Sequence, residues 1–190
     1  MAIGINGSSN TITGIAVGGL PDGIVDTDML AAGAVTASKR GSGAILQVVT
    51  SVITSSVIFN TISDSSLLGA YNNTQMTASI TPNFANSILL VNFEFGLLLR
   101  AGGAGAAVGY GVKRNGTRIV TAASNTHEGF VTDDLMGTRK HYTYVDTTHN
   151  STSQQTYLLE AFLRSGYSDQ IVEFSTRDIV SNVVIYEVAA

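Results

Sequence analysis

The sequence predicts an all-β protein. An antiparallel, jelly-roll-like β-sandwich fills residues 44–190, and an extended N-terminal arm with one short helix, residues 1–43, precedes it. Three observations predict this. Residues 87–100, SILLVNFEFGLLLR, alternate with a period of two. Leu89, Val91, Phe93, Phe95, Leu97 and Leu99 share one face, and Asn92, Glu94, Gly96 and Arg100 the other. Asn115-Gly116 lies between two short extended runs and supplies the two positive φ values of a type I′ hairpin turn. Composition breaks at Lys39-Arg40-Gly41-Ser42-Gly43: every Phe and Tyr lies after this Gly-rich linker, and the segment before it is rich in Gly, Ala, Ser and Thr.

In the arm, Thr11–Val17 reads as a short extended segment and Pro21-Asp22-Gly23 as a turn, because Pro fixes φ and Gly accepts φ > 0. The helix follows. Asp26 or Thr27 caps its first N–H groups, Lys39 and Arg40 favour its negative end, and Gly41 closes it. Its inner stripe is Leu30, Ala31, Ala34, Val35 and Ala37. So short a helix is marginal alone, and Gly33 within it costs about 1 kcal/mol more. Small side chains admit another backbone, so Leu30, Ala34, Val35 and Ala37 are the candidate assembly and attachment residues.

In the second zone, Gln155–Arg164 sets Tyr157, Leu159, Ala161 and Leu163 against Leu158, Glu160, Phe162 and Arg164. Tyr110–Val120 is the hairpin. Further strands are expected near 44–59, 74–80, 138–147, 170–175 and 179–189, about eight or nine in all, which is the pattern of a sandwich. Several are apolar on both faces. Ile88, Leu90 and Leu98 oppose the Leu89–Leu99 face, and Val183 and Ile185 oppose Val184, Tyr186 and Val188. An antiparallel sandwich covers one face with its core, so a second apolar face calls for a second cover, most simply another copy of the chain.

Charge agrees with that. Charged residues are 13% of the 190, against about 25% in average soluble domains. A chain this poor in charge is expected to self-associate. The net charge of −4, with Lys and Arg scattered, speaks against nucleic-acid binding. The absence of cysteine removes disulfides and thiolate zinc sites. MAIGINGSSN has no secretory pattern, and the longest apolar run, AILQVVTSVITSSVIF, is interrupted by polar residues and too short to span a bilayer. Assembly in a cytoplasm is expected, without membrane insertion.

Enzymatic motifs are wanting. The glycines of 102–111 follow a strand but precede a hairpin, where a dinucleotide site needs a helix. His127, His141 and His149 lack ligand spacing. His127-Glu128 and Asp133-Asp134 read better as an exposed loop than as a calcium loop. There is no G-x-S-x-G. No cofactor, metal or catalytic residue is assigned. Recognition fits better, and sandwich loops are its usual place. The candidate receptor-contact loops contain Gly102, Gly103, Asn115, Gly116, Phe130, Asp133 and Asp134, from the segments 101–109, 115–116 and 124–140. Tyr110, Phe130, Tyr142, Tyr144 and Tyr167 have faces on which a sugar could stack, but Tyr142 and Tyr144 read more naturally as core or interface residues.

LPDGIVDTDMLAAGAVTASK, then a Gly-rich linker and AILQVV, resembles the start of tail-fibre and minor structural proteins of tailed bacteriophages. ASITPNFANSILLV, TYVDTTHNSTSQQTYLLEAFLRSG and SNVVIYEV are similar to stretches of the β-domain those proteins carry. The resemblance covers most of residues 18–190; 101–137 lie outside it. It implies a homotrimeric virion appendage, held to tail, baseplate or capsid proteins through residues 1–43. The β-sandwich would face outward to meet a host-surface glycan or protein. The alternatives are a capsid-decorating, cement or head-fibre protein, and a glycan-cleaving depolymerase whose acids meet through the fold.

Overall fold

The computed structural model describes residues 4–8, 11–13, 36, 39–62, 64–101, 105–121, 129–131, 135–164, 166, 169–175 and 180–190. The chain divides into two compact units, Met1–Arg40 and Gly41–Ala190.

In the first unit, β1 (Gly4–Asn6) pairs antiparallel with β2 (Thr11–Thr13), Gly4 opposite Thr13, and Gly7 and Ser8 make a turn between them. The expected helix, with Leu30, Ala34, Val35 and Ala37, lies outside the described residues.

The second unit holds eleven strands among its described residues. They are β3 (Ile45–Ile53), β4 (Val57–Asn60), β5 (Tyr71–Ile80), β6 (Ile88–Ala101), β7 (Ala106–Arg114), β8 (Thr117–Val120), β9 (Gly129–Val131), β10 (Leu135–Asp146), β11 (Gln155–Leu163), β12 (Gln170–Phe174) and β13 (Ser181–Val188). They form two antiparallel sheets. The first runs β3-β13-β6-β12-β4, with β10 along the other edge of β6. The second runs β5-β11-β7-β8, with β9 on β7. The fold is the expected jelly-roll-like β-sandwich.

Alternation builds the core. Leu89, Val91, Phe93, Phe95, Leu97 and Leu99 of β6 are fully buried, as are Tyr157, Leu159, Ala161 and Leu163 of β11. Val183 and Ile185 of β13, Val172 and Phe174 of β12, and Met76 and Ile80 of β5 complete the interior. Each large apolar side chain among them contributes roughly 1.5–3 kcal/mol by leaving water. Aromatic rings concentrate around Phe95, whose centroid is 5.4 Å from Tyr110 and 5.2 Å from Phe174. Tyr142 packs edge-on against Tyr110 at 5.8 Å. Tyr110 and Tyr142 are therefore core-facing, and Tyr144 packs beside them.

Three expectations change in detail. The single strand expected over 44–59 is two strands, broken at Thr54-Ser55-Ser56; β3 pairs with β13, and β4 with β12. The glycine-rich segment 101–109, expected as a loop, enters β7 by Ala106, and Ala106, Ala107 and Val108 are buried. Small residues suit that place. Slightly further along, a Cβ on Gly111 would meet the Tyr71 ring at 2.7 Å. The loop expected over 124–140 contains strand at both Gly129–Val131 and 135–140, so the Phe130 backbone is paired opposite Ala107. Gly102, Gly103, Asp133, Asp134, His127 and Tyr167 lie outside the described residues.

Candidate functional site

The Asn115-Gly116 turn is the candidate loop whose geometry is fully described. Asn115 has φ 50° and Gly116 φ 82°, the left-handed pair a type I′ turn needs. The turn is stapled to β11. Asn115 N donates to Thr156 O at 2.9 Å, Asn115 Oδ1 accepts from Thr156 N at 2.8 Å, and Asn115 Nδ2 donates to Gln155 Oε1 at 2.9 Å. Nothing lies within 4 Å of where a Gly116 Cβ would stand, so this turn opens to solvent.

Gly116 also borders a shallow groove of about 320 Å³ on the outer face of the second sheet. Asn73, Gln75 and Thr77 of β5 form one wall, Lys113 the other, and Thr156 and Leu158 the floor. A β-bulge shapes it. Gln75 takes φ 62°, its N–H donating to Asn73 Oδ1 at 2.7 Å, and the β5–β11 register shifts between Leu158 and Glu160. The groove offers amides, hydroxyls and one apolar patch.

Beside it, Glu160 is buried on the outward side of β11. It accepts from Arg118 Nε at 2.7 Å and Nη2 at 3.1 Å, and pairs with Lys113 Nζ at 2.8 Å. Arg118 lies over the Tyr71 ring at 3.6 Å, and Tyr71 packs on Phe162 at 4.8 Å. Burial pushes the Glu160 carboxyl up, but the hydrogen bonds and charges of Arg118 and Lys113 outweigh it and hold it below its ordinary value. Lys113 is thus held in place, but one carboxylate against two cations leaves this wall of the groove with a net positive charge.

Two further carboxylates are fully buried. Asp146, ending β10 of the first sheet, accepts from the Tyr157 hydroxyl at 2.6 Å, Arg114 Nη1 at 2.7 Å and Thr148 N at 2.8 Å. Tyr157 and Arg114 belong to the second sheet, so Asp146 bridges the layers. Burial raises the Asp146 pKa, but these donors lower it further, to below the usual range; burial and Asp146 push the Tyr157 phenol well up. Glu187 of β13 gathers the backbone N–H groups of Asn83 (2.8 Å) and Phe84 (3.0 Å), Ser87 Oγ (2.8 Å) and Gln47 Nε2 (2.7 Å). It too is held low: burial raises it, and the Asn83 N–H and its companions prevail. His149 sets Nε2 2.8 Å from Ser87 O and Nδ1 3.0 Å from Ser151 O. Among the described residues no group of three or more His, Asp and Glu is arranged to hold a metal.

These networks join residues up to 140 positions apart in the chain, as Gln47 and Glu187 are. Periodicity carries no trace of them, and none of the three carboxylates stood out in the sequence. The one available signal was the clustering of Lys113, Arg114 and Arg118 around the hairpin turn, an excess of cations in a chain poor in charge. The structure brings Asn115 and Gly116 to the groove's end.

No family model matches the chain, and no curated protein matches it. Among solved structures it is similar to a chain of the T13 viral particle of infectious bursal disease virus, at 18% identity and a TM-score of 0.42, over 76% of this chain and 36% of that one. The VP2 subviral particle of the same virus gives 20% identity and 0.38, over 76% and 37%. The CBM22-1 xylan-binding domain of Xyn10C from Paenibacillus barcinonensis gives 18% and 0.30, over 80% and 99%. The chain thus spans little more than a third of the viral chains it matches. Scores this low leave the fold assignment resting on the strand pairing itself.

Proposed function

We propose that this protein is a structural subunit of a bacteriophage virion and not an enzyme. It is a homotrimeric tail-fibre or appendage subunit that attaches through residues 1–43 and presents the sandwich to the host surface. One observation carries the multi-copy reading: the outward side of the first sheet, polar around Asn92, Glu94, Arg139 and Thr143, holds an apolar row where a lone domain would be polar throughout. Val145 of β10, Leu90 of β6, Tyr186 of β13 and Val48 of β3 stand in register across four strands. The outer two remain 50% and 51% exposed. Ile45 and Val52 of β3 add to this face at 54% and 57%. Such a patch marks an interaction surface. The resemblance of LPDGIVDTDMLAAGAVTASK and the stretches after it to phage structural proteins supplies the setting. The groove beside Gly116, lined by amides, hydroxyls and the cation Lys113 around Leu158, is the place for a host-surface saccharide.

The test is the position of the chain in intact particles, with incorporation of a version cut after Arg40. A few copies at the tail, lost on truncation, are expected. Copies in register with the capsid lattice would replace this reading with a decorating or cement role. Incorporation of the truncated chain would overturn attachment through the arm.

A further inference from the structure

We infer that the groove beside Gly116 takes an acidic saccharide, a sugar ring whose carboxylate meets the Lys113 ammonium. This rests on the saccharide reading above and names the class of sugar.

Strand register puts the parts in place. On the outward face of the second sheet, Thr77 of β5 stands opposite Leu158 of β11, Leu158 opposite Lys113 of β7, and Lys113 opposite Arg118 of β8. One row therefore runs from a hydroxyl, across an apolar side chain, to two cations. The charges around it are layered. The Glu160 side chain is 2% exposed, whereas those of Lys113 and Arg118 are each 30% exposed. The negative group lies beneath and the positive groups reach water. A ligand at the mouth feels the nearer charges most, so this side of the groove attracts an anion. Among the described residues that line the groove, Lys113 alone carries charge. The chain as a whole leans the other way, with 10 basic and 14 acidic side chains.

The kind of cation selects the anion. Arg118 spends its fork on Glu160, through Nε at 2.7 Å and Nη2 at 3.1 Å. The planar pairing that suits phosphate and sulfate is therefore already used. Lys113 brings several N–H groups and stays partly exposed beside Glu160, so it can meet a second acceptor. One compact charge suits one carboxylate on an otherwise neutral ring. A polyanion would need several cations together. The remaining lining agrees. Leu158 takes the apolar face of a ring, and Asn73, Gln75 and Thr77, all exposed, meet its hydroxyls. The bulge supplies part of this wall: Gln75 holds its left-handed φ of 62° where the β5–β11 register shifts, which re-aims its amide side chain.

The experiment is calorimetric titration of the full chain with trisaccharides that carry glucuronate, galacturonate or sialate, each beside its own methyl ester. A sulfated trisaccharide and inorganic phosphate are titrated in parallel. At least one acid should bind, its ester about tenfold more weakly, and added salt should narrow that gap. Lys113→Gln should bring the acid down to the level of the ester and leave the ester unmoved, and Lys113→Arg should keep the preference. Thr77→Glu, across Leu158 from Lys113, should weaken the acid and spare the ester. Lys140→Gln, on β10 of the first sheet, should change neither. Circular dichroism and melting transitions check that each variant is folded. Acid and ester bound equally overturn the inference and leave the saccharide reading standing. A preference that survives both Lys113→Gln and Thr77→Glu, or falls as far with Lys140→Gln, places the anion elsewhere and overturns the site. Tighter binding of phosphate or of the sulfated sugar overturns the carboxylate. Binding of neither acid nor ester overturns this inference and the saccharide reading together.

Discussion

Asp146 shows what a single buried charge does here. It has no exposed surface and accepts from two side chains of the opposite sheet. Asp146→Asn keeps the shape but leaves the Arg114 guanidinium without its counter-charge, so a loss of about 3 kcal/mol is expected in denaturant unfolding. Acid should expose the same chemistry. Asp146, Glu160 and Glu187 all have native pKa values below their unfolded ones. The unfolded chain therefore takes up protons first as pH falls. The stability these groups supply is complete above about pH 5 and drains away as pH drops through about 4 toward their native values. Glu187→Gln should flatten that slope in a melting-temperature series against pH; an unchanged slope would remove Glu187 from the account. None of this was readable in advance. A carboxylate's partners lie where the fold puts them, and Tyr157 was recognised only as an inward-facing ring.

Elements were more legible. In β6, alternation fixed which six side chains enter the core, because a one-residue slip would turn every one of them to water. Asn115-Gly116 fixed the β7–β8 hairpin, because no other conformation suits that dipeptide between strands. Legibility failed where the signal was smallness. The run from Ala106 to Gly109 looked like loop, yet it is strand, its small residues suited to close approach. Gly111→Ala would drive a methyl into a Tyr71 ring pinned between Arg118 and Phe162. A loss of roughly 1–3 kcal/mol in thermal unfolding is expected, with hydrogen exchange at Val120 rising first. Gly116→Ala meets open space, so its cost is only the left-handed backbone, about 1 kcal/mol.

At the scale of the molecule, the compact units meet at Arg40 and Gly41. A chain beginning at Gly41 should unfold in one cooperative transition, because it retains the whole interior between the sheets. Starting instead at Ala44 would delete Gly43, whose N–H donates to Ala189 O at 2.8 Å, and should cost about 1 kcal/mol by comparison of the two midpoints. Alternation announced the sandwich and its second apolar face. It could not give the order of strands in the sheets or the bulges, which come only with tertiary pairing.

That same junction has a temporal side. β3 is the first strand of its unit to leave the ribosome and β13 the last, yet they lie side by side from Ile45 to Val188. Until β13 has been made, β3 lacks the neighbour it pairs with in the folded sheet. Pairing across so long a loop is slow. Closing the β3–β13 pair is therefore expected to come late in folding, and β3 to be the strand of this sheet that stays exposed longest.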